Sequence, residues 1–221
     1  MRYPKGIQKA ESAKKLQSEQ TVARLLEAAT RLFVTNGYHG TSIADIAQAT
    51  NLTKGALYSH FVGKSDLLFA LIKKWEKEFL DRMIHVVGKA TGDAMAKLDR
   101  MLSFSAAFVG EHRELCLLLT LISAELYGEE NEFAKEFRRL SLKFAEFLQG
   151  LVEEGKAQRL FAPDLDAHTL ANVIIAFHDG VLLQWHRSRD LLDGRDYARM
   201  SRRVVLQGIR SSSVPEGPHG R

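Results

Sequence analysis

Thr41-Ser-Ile-Ala-Asp-Ile-Ala-Gln-Ala-Thr-Asn-Leu-Thr-Lys-Gly-Ala-Leu-Tyr-Ser-His-Phe61 is the stretch on which the fold of the first third of the chain turns. Thr41 or Ser42 can cap a short helix carrying Ile43, Ile46 and Ala47, and Thr53 can cap a second. Two short helices joined by three or four residues predict a helix-turn-helix over Ser42 to Phe61. The residue types suit the packing. Ala47 is small where the helices would cross, and Asn51 tolerates the left-handed backbone of the turn. Leu52 and Leu57 seal the junction, and Phe61 lies one turn beyond Leu57. Lys54, Tyr58, Ser59 and His60 are left on the opposite side, where Gly55 permits close approach.

Working outward, every periodic segment reads as helix, which predicts an all-α chain of about nine helices. Upstream, Val22, Leu25, Leu26, Ala29, Leu32 and Phe33 form an apolar stripe ended by Gly37. The polar residues before it, 1–18, are expected to be a flexible basic arm. Downstream, Ser65 and Asp66 open a long fourth helix carrying Leu68, Leu71, Ile72, Trp75, Phe79 and Met83. Gly88 and Gly92 mark a break. A fifth helix is expected around Leu98–Phe108, a sixth at Leu115–Leu126, and a seventh from Phe133 to near Gly155. An eighth is capped by Asp166, and a ninth runs from about Tyr197 to Ile209. The tail 211–221, with two prolines and two glycines, is expected to be disordered.

Composition narrows the function. The 221 residues suffice for one large or two modest domains. No apolar run approaches the roughly 20 residues of a membrane-spanning helix, and no apolar segment follows the basic N-terminus as in a secretory signal. A single cysteine, Cys116, rules out an intramolecular disulfide framework and fits the cytoplasm. Net charge is +4, unevenly placed: Met1–Phe79 holds 12 Lys/Arg against 7 Asp/Glu, and the remainder 19 against 20. A basic head on a near-neutral body suits nucleic-acid binding, although surplus charge also serves solubility.

Catalytic and metal motifs do not stand up. Gly63-Lys64-Ser65 resembles the end of a phosphate loop, but Tyr58 occupies the position of the other required glycine. There is no G-x-S-x-G elbow and no H-E-x-x-H motif. His178 and Asp179 are adjacent on a helix and point some 100° apart. Cys116 lies in the most apolar helix, where a thiol is usually inert. No catalytic residue, metal or cofactor is expected, and the chain is read as a non-enzyme.

Ser42, Ile46, Ala47, Ala49, Leu52, Thr53, Gly55, Leu57, Tyr58, His60, Phe61, Lys64 and Leu67 together form a long joint pattern. Ala28, Ala29, Leu32, Phe33, Gly37, Tyr38, Gly40 and Thr41 extend it upstream. Over about residues 19–79 the chain thereby resembles the tetracycline-repressor-like (TetR/AcrR) transcriptional regulators. The departure is Thr50-Asn51, where that family usually has Ala-Gly. The resemblance implies a DNA-binding domain over 19–79, with Ser42–Gln48 across the DNA backbone and Thr53–Ser59 in the major groove. The implied DNA-contacting set is Ser42, Thr53, Lys54, Gly55, Ala56, Tyr58, Ser59, His60 and Lys64. Tyr58 and Lys64 are expected on phosphates and Lys54 on a base edge, although Tyr58 and His60 could instead pack the helices.

For 80–210 the resemblance implies an effector-binding and dimerisation domain. Its partners would be double-stranded operator DNA, a second copy of the chain and a hydrophobic small-molecule effector. Met83, Met101, Phe104, Phe108, Cys116, Leu119, Phe144, Phe147 and Phe177 can line an adaptable pocket or equally fill a core. The eighth helix is apolar over much of its circumference, which suits a subunit interface. Ile174, Ile175, Val181, Leu182 and Trp185, with Met200 and Val204 of the ninth, are the expected interface residues. A repressor released from a palindromic operator by its ligand is the leading expectation; an enzyme or an architectural DNA binder are the rivals.

Overall fold

The computed structural model describes residues 5–126, 128–188 and 190–210. It is all-helical apart from one isolated bridge between Phe161 and Arg210. The tail expected over 211–221 and the first four residues of the expected arm lie outside the described residues. The chain divides into two compact units, Met1–Lys74 and Trp75–Arg221.

The first unit contains α1 (Lys5–Asn36), α2 (Ile43–Ala49), α3 (Lys54–Tyr58) and α4 (Lys64–Trp75), the last of which ends at the boundary. The arm expected before residue 19 is helical from Lys5, as part of α1. Ala, Lys, Gln and Glu dominate that segment and are good helix formers, and residues 14–20 are exposed. The core follows the predicted stripes at most positions, with Val22, Leu26 and Leu32 half-buried. Leu25, Ala28, Ala29 and Phe33 of α1 are buried, as are Ile46 and Ala47 of α2, Leu57 of α3, and Leu67, Leu68, Leu71 and Ile72 of α4. Gly37 ends α1 in the left-handed conformation at φ 75°.

The second unit begins with a π-helical turn, Glu76–Asp81, which leads into α5 (Arg82–Gly88). There follow α6 (Ala94–Glu125), α7 (Glu132–Ala157), α8 (Ala167–Arg187) and α9 (Gly194–Gly208). Three expected boundaries move. The long fourth helix expected to run past Met83 gives way after Trp75 to the π turn, which takes Phe79, and Met83 falls in α5. The fifth and sixth predicted helices form one helix, α6, kinked at His112, whose φ/ψ of −126°/35° is non-helical. The ninth starts at Gly194, because Asp193 caps it by accepting from the N–H groups of Arg195 and Asp196, both at 2.9 Å. Asn131 and Asp166 cap α7 and α8 in the same way.

Phe79, 1% exposed, is the hub of this unit. Its ring lies 5.0 Å from Trp75, 6.1 Å from Phe104, 5.1 Å from Phe108, 6.3 Å from Phe144 and 6.4 Å from His178. Beside it, Glu76 is buried as a charge and must be neutralised there. Arg139 approaches it to 2.7 Å and Lys143 to 3.0 Å, and Lys143 also reaches Asp81 at 2.6 Å. Gly155 is fixed by contact, since a Cβ there would stand 2.2 Å from the Phe161 ring.

Candidate functional site

In the first unit, hydrogen bonds hold two short helices in place. Ser42 and Asp45 form a reciprocal cap on α2. The Ser42 hydroxyl accepts from the Asp45 N–H at 3.2 Å, while Asp45 accepts from the Ser42 N–H at 2.8 Å. Those bonds from the Ser42 hydroxyl and backbone hold the Asp45 carboxyl below the usual carboxylate range. Thr53 caps α3 by accepting from the Ala56 N–H at 3.1 Å. Between the helices, Asn51 adopts φ 55°, the left-handed turn for which Asn was expected. Thr50 is buried, and its hydroxyl donates to the Ile46 and Ala47 carbonyls, both at 3.0 Å. Arg24 of α1 donates to the Thr50 carbonyl at 2.7 Å, tying α1 to the turn. Thr50 thus closes the end of α2 through its hydroxyl, and Asn51 supplies the left-handed turn.

This scaffold leaves one side of α3 open. Thr53, Lys54, Gly55, Tyr58 and Ser59 are exposed, Ala56 and His60 are half-buried, and Ser42 is exposed at the head of α2. The Tyr58 ring is 53% exposed, so it does not serve the core. Gly55 has no packing reason to be glycine. A Cβ there would meet nothing nearer than the Thr53 hydroxyl at 3.9 Å, although glycine in a helix is disfavoured by about 1 kcal/mol relative to alanine.

Lys64 departs from expectation. Its ammonium donates to the carbonyls of Tyr38 at 2.9 Å and Thr41 at 3.1 Å, with a longer contact to His39 at 3.4 Å. It also sits 4.5 Å from the centre of the Tyr38 ring. A lysine has three N–H donors, and here backbone acceptors take them, so Lys64 staples the loop after α1 rather than extending toward a phosphate.

In the second unit a cavity of about 380 Å³ opens among the π turn, α6, α7 and α8. Cys116, Leu119 and Phe144 line it as expected, but Met83, Met101, Phe104 and Phe108 do not. Met83 and Met101 are fully packed, and Phe104 and Phe108 stack at the hub around Phe79. The Met/Phe stripes identify buried faces without distinguishing wall from core. Trp75, Phe79, Arg138, Ser141 and His178 also line it, although none of them was among the residues expected at a pocket. Burial pushes the Cys116 thiol up to about 12, outweighing the opposing Trp75 contact, so it is not a reactive thiolate. His178 and Asp179 approach only to 4.0 Å, too far for a hydrogen bond.

Phe177 lines a second cavity, of about 580 Å³, between α6, α8 and α9. Ile174, Val181, Leu182 and Trp185, expected at a subunit interface, also face this cavity, and Ile174 and Leu182 are buried. Ile175 lines the first cavity. A helix that is apolar all round does not reveal which stripe points inward. The outward apolar residues are Val173 on α8, at 55% exposure, and Met200 and Val204 on α9, at 55% and 53%. Among the described residues, no group of His, Cys, Asp and Glu is arranged to hold a metal. No described helix is long and apolar enough to cross a membrane.

Residues 25–71 match the family described as bacterial regulatory proteins, tetR family. The chain is 26% identical over 195 residues to the HTH-type transcriptional regulator AcrR of Shigella flexneri, covering 87% of this chain and 91% of that protein. The crystal structure of the MbdR regulator from Azoarcus sp. CIB is similar at 29% identity. Its TM-score is 0.78, over 86% of this chain and 98% of the other. The fold is shared with FadR of Bacillus subtilis in complex with stearoyl-CoA, at 21% identity and a TM-score of 0.69, over 85% of this chain and 99% of the other.

Proposed function

Since the chain belongs to the TetR family of DNA-binding transcriptional regulators, we propose that it is a homodimeric repressor released from a palindromic operator by a hydrophobic small molecule. The observation that carries this reading is the open side of α3: Lys54 and Tyr58 exposed beside a glycine that packing does not require. A bare backbone at Gly55 lets a phosphate–sugar chain approach closely, Tyr58 and Ser59 offer hydroxyls to phosphate, and Lys54 reaches a base edge. Ser42, at the exposed head of α2, is a further phosphate contact. The DNA-binding region is assigned to 19–79 and the effector and dimerisation region to 80–210. The protein is a regulator and not an enzyme, and it works in the cytoplasm.

Val173, Met200 and Val204 are apolar surface that a second copy would cover, with the small exposed Ala176 and Gly180 allowing α8 to lie close to its twin. A two-fold dimer requires two inverted half-sites separated by whole turns of the duplex. The effector occupies the apolar cavity around Phe79; that FadR of Bacillus subtilis, which shares the fold, is described in complex with stearoyl-CoA supports a hydrophobic class of ligand. Ligand binding favours a dimer geometry in which the two α3 helices no longer match the half-site spacing. Selection of genomic fragments on the purified protein tests the reading. An inverted repeat is expected, and Lys54→Ala or Tyr58→Ala should weaken its binding by about 10-fold. A monomer with no fragment preference at moderate salt would overturn it.

A further inference from the structure

The charges of α7 are not equally satisfied. Four cations lie between Lys135 and Lys143. Lys135 pairs with Glu132, Arg139 with Glu76 and Glu136, and Lys143 with Glu76 and Asp81. Arg138 is the one with no ion pair or hydrogen bond among the described residues, and it lines the cavity. Its side of the opening also carries Ser141 and Thr120, two hydroxyl groups, whereas the deeper wall is apolar, with Trp75, Phe79, Leu119 and Phe144. Asp179 lines the cavity too, from α8 rather than α7. A guanidinium presents a planar fork of donors that matches carboxylate and phosphate oxygens two at a time.

We infer that the effector is an anionic amphiphile, with its apolar body in the cavity and its acidic head on Arg138. This deepens the effector reading above and rests on it. The cavity volume of about 380 Å³ limits the body. An acyl chain or a substituted aromatic ring supplies such a body. The head is either the free carboxylate or the phosphates of a thioester carrier, since both offer oxygens to the same guanidinium.

Titration calorimetry of the full-length protein with sodium decanoate, decanoyl-coenzyme A and decanol separates these possibilities. At least one of the two anions should bind about 10-fold or more tightly than decanol. The anion that does so identifies the head. Arg138→Gln should abolish that advantage while leaving decanol binding unchanged, and Arg138→Lys should retain part of it. Arg138 is exposed, so neither substitution threatens the fold, and an unchanged melting temperature verifies this. The inference is overturned if decanol binds as well as both anions, if Arg138→Gln weakens all three equally, or if none binds. The effector reading fails separately, with the site intact, if an anion binds as described yet operator affinity does not change.

Discussion

The two units place their functional surfaces under opposite constraints. In Met1–Lys74 the candidate DNA face is made of side chains the core does not use: Tyr58 and Lys54 project outward, and Gly55 is glycine without a packing need. In Trp75–Arg221 the candidate effector site is made from the core itself, because Phe79 and Phe144 hold the unit together and also wall the cavity. Changes to the first surface should therefore alter binding and spare stability, whereas changes to the buried aromatic wall of the second should alter both.

The largest effect expected is at Phe79. Phe79→Ala removes a ring in contact with four other aromatic side chains and His178, and should lower unfolding stability by about 3–5 kcal/mol, measured by chemical denaturation. A loss below about 1 kcal/mol would break the contrast, by showing that the cavity wall is dispensable to the core. Next is Lys64→Met, expected to destabilise by roughly 1–3 kcal/mol through the lost bonds to the carbonyls of Tyr38 and Thr41. If stability instead holds and the salt dependence of operator binding falls by about one charge, Lys64 belongs to the DNA face after all.

Gly55→Ala sharpens the comparison from the other side. It should stabilise the protein by up to about 1 kcal/mol and yet weaken operator binding. Tighter or unchanged binding would remove the argument that the glycine serves DNA. The smallest effect concerns Asp45, Asp166 and Asp193, which cap helices in both units. Their hydrogen bonds to backbone and side-chain donors hold all three below the usual value of 3.8. Each lowered carboxylate contributes stability that is complete above its unfolded value and is lost as pH falls through the folded one. Far-ultraviolet circular dichroism between pH 5 and about pH 2 should show Asp45→Asn, Asp166→Asn and Asp193→Asn less sensitive to acid than the parent. Identical acid transitions would count against the caps.

The same contrast explains what could be read beforehand. The helix-turn-helix was legible because its residues have jobs that few types perform: Asn51 in a left-handed turn, Ala47 at a crossing, Thr53 at a cap. The cavity was not, because Met83 and Phe144 belong to the same apolar pattern and one is core while the other is wall. Which stripe of α8 points inward was hidden for a related reason, since Ile174 and Val173 are neighbours of similar hydrophobicity, one buried and the other exposed. The Lys64 contacts with the Tyr38 and Thr41 carbonyls were not legible, because a motif records that a lysine is present and not what its ammonium touches. Arg138 could be distinguished from Arg139 only once their partners were visible.

The π turn at Glu76–Asp81 has a consequence for how length variation would be absorbed. Such a turn corresponds to an α-helix holding one surplus residue. Deleting Lys77 or Glu78 would let the segment relax into ordinary α-helix, with Met83 and Val87 still directed inward. The same deletion in the middle of α7 has no slack to consume. It would rotate every later position by about 100° and carry Phe144 and Leu148 out of the interior. The π turn is thus a site where losing a residue is a local event, beside helices where it is not.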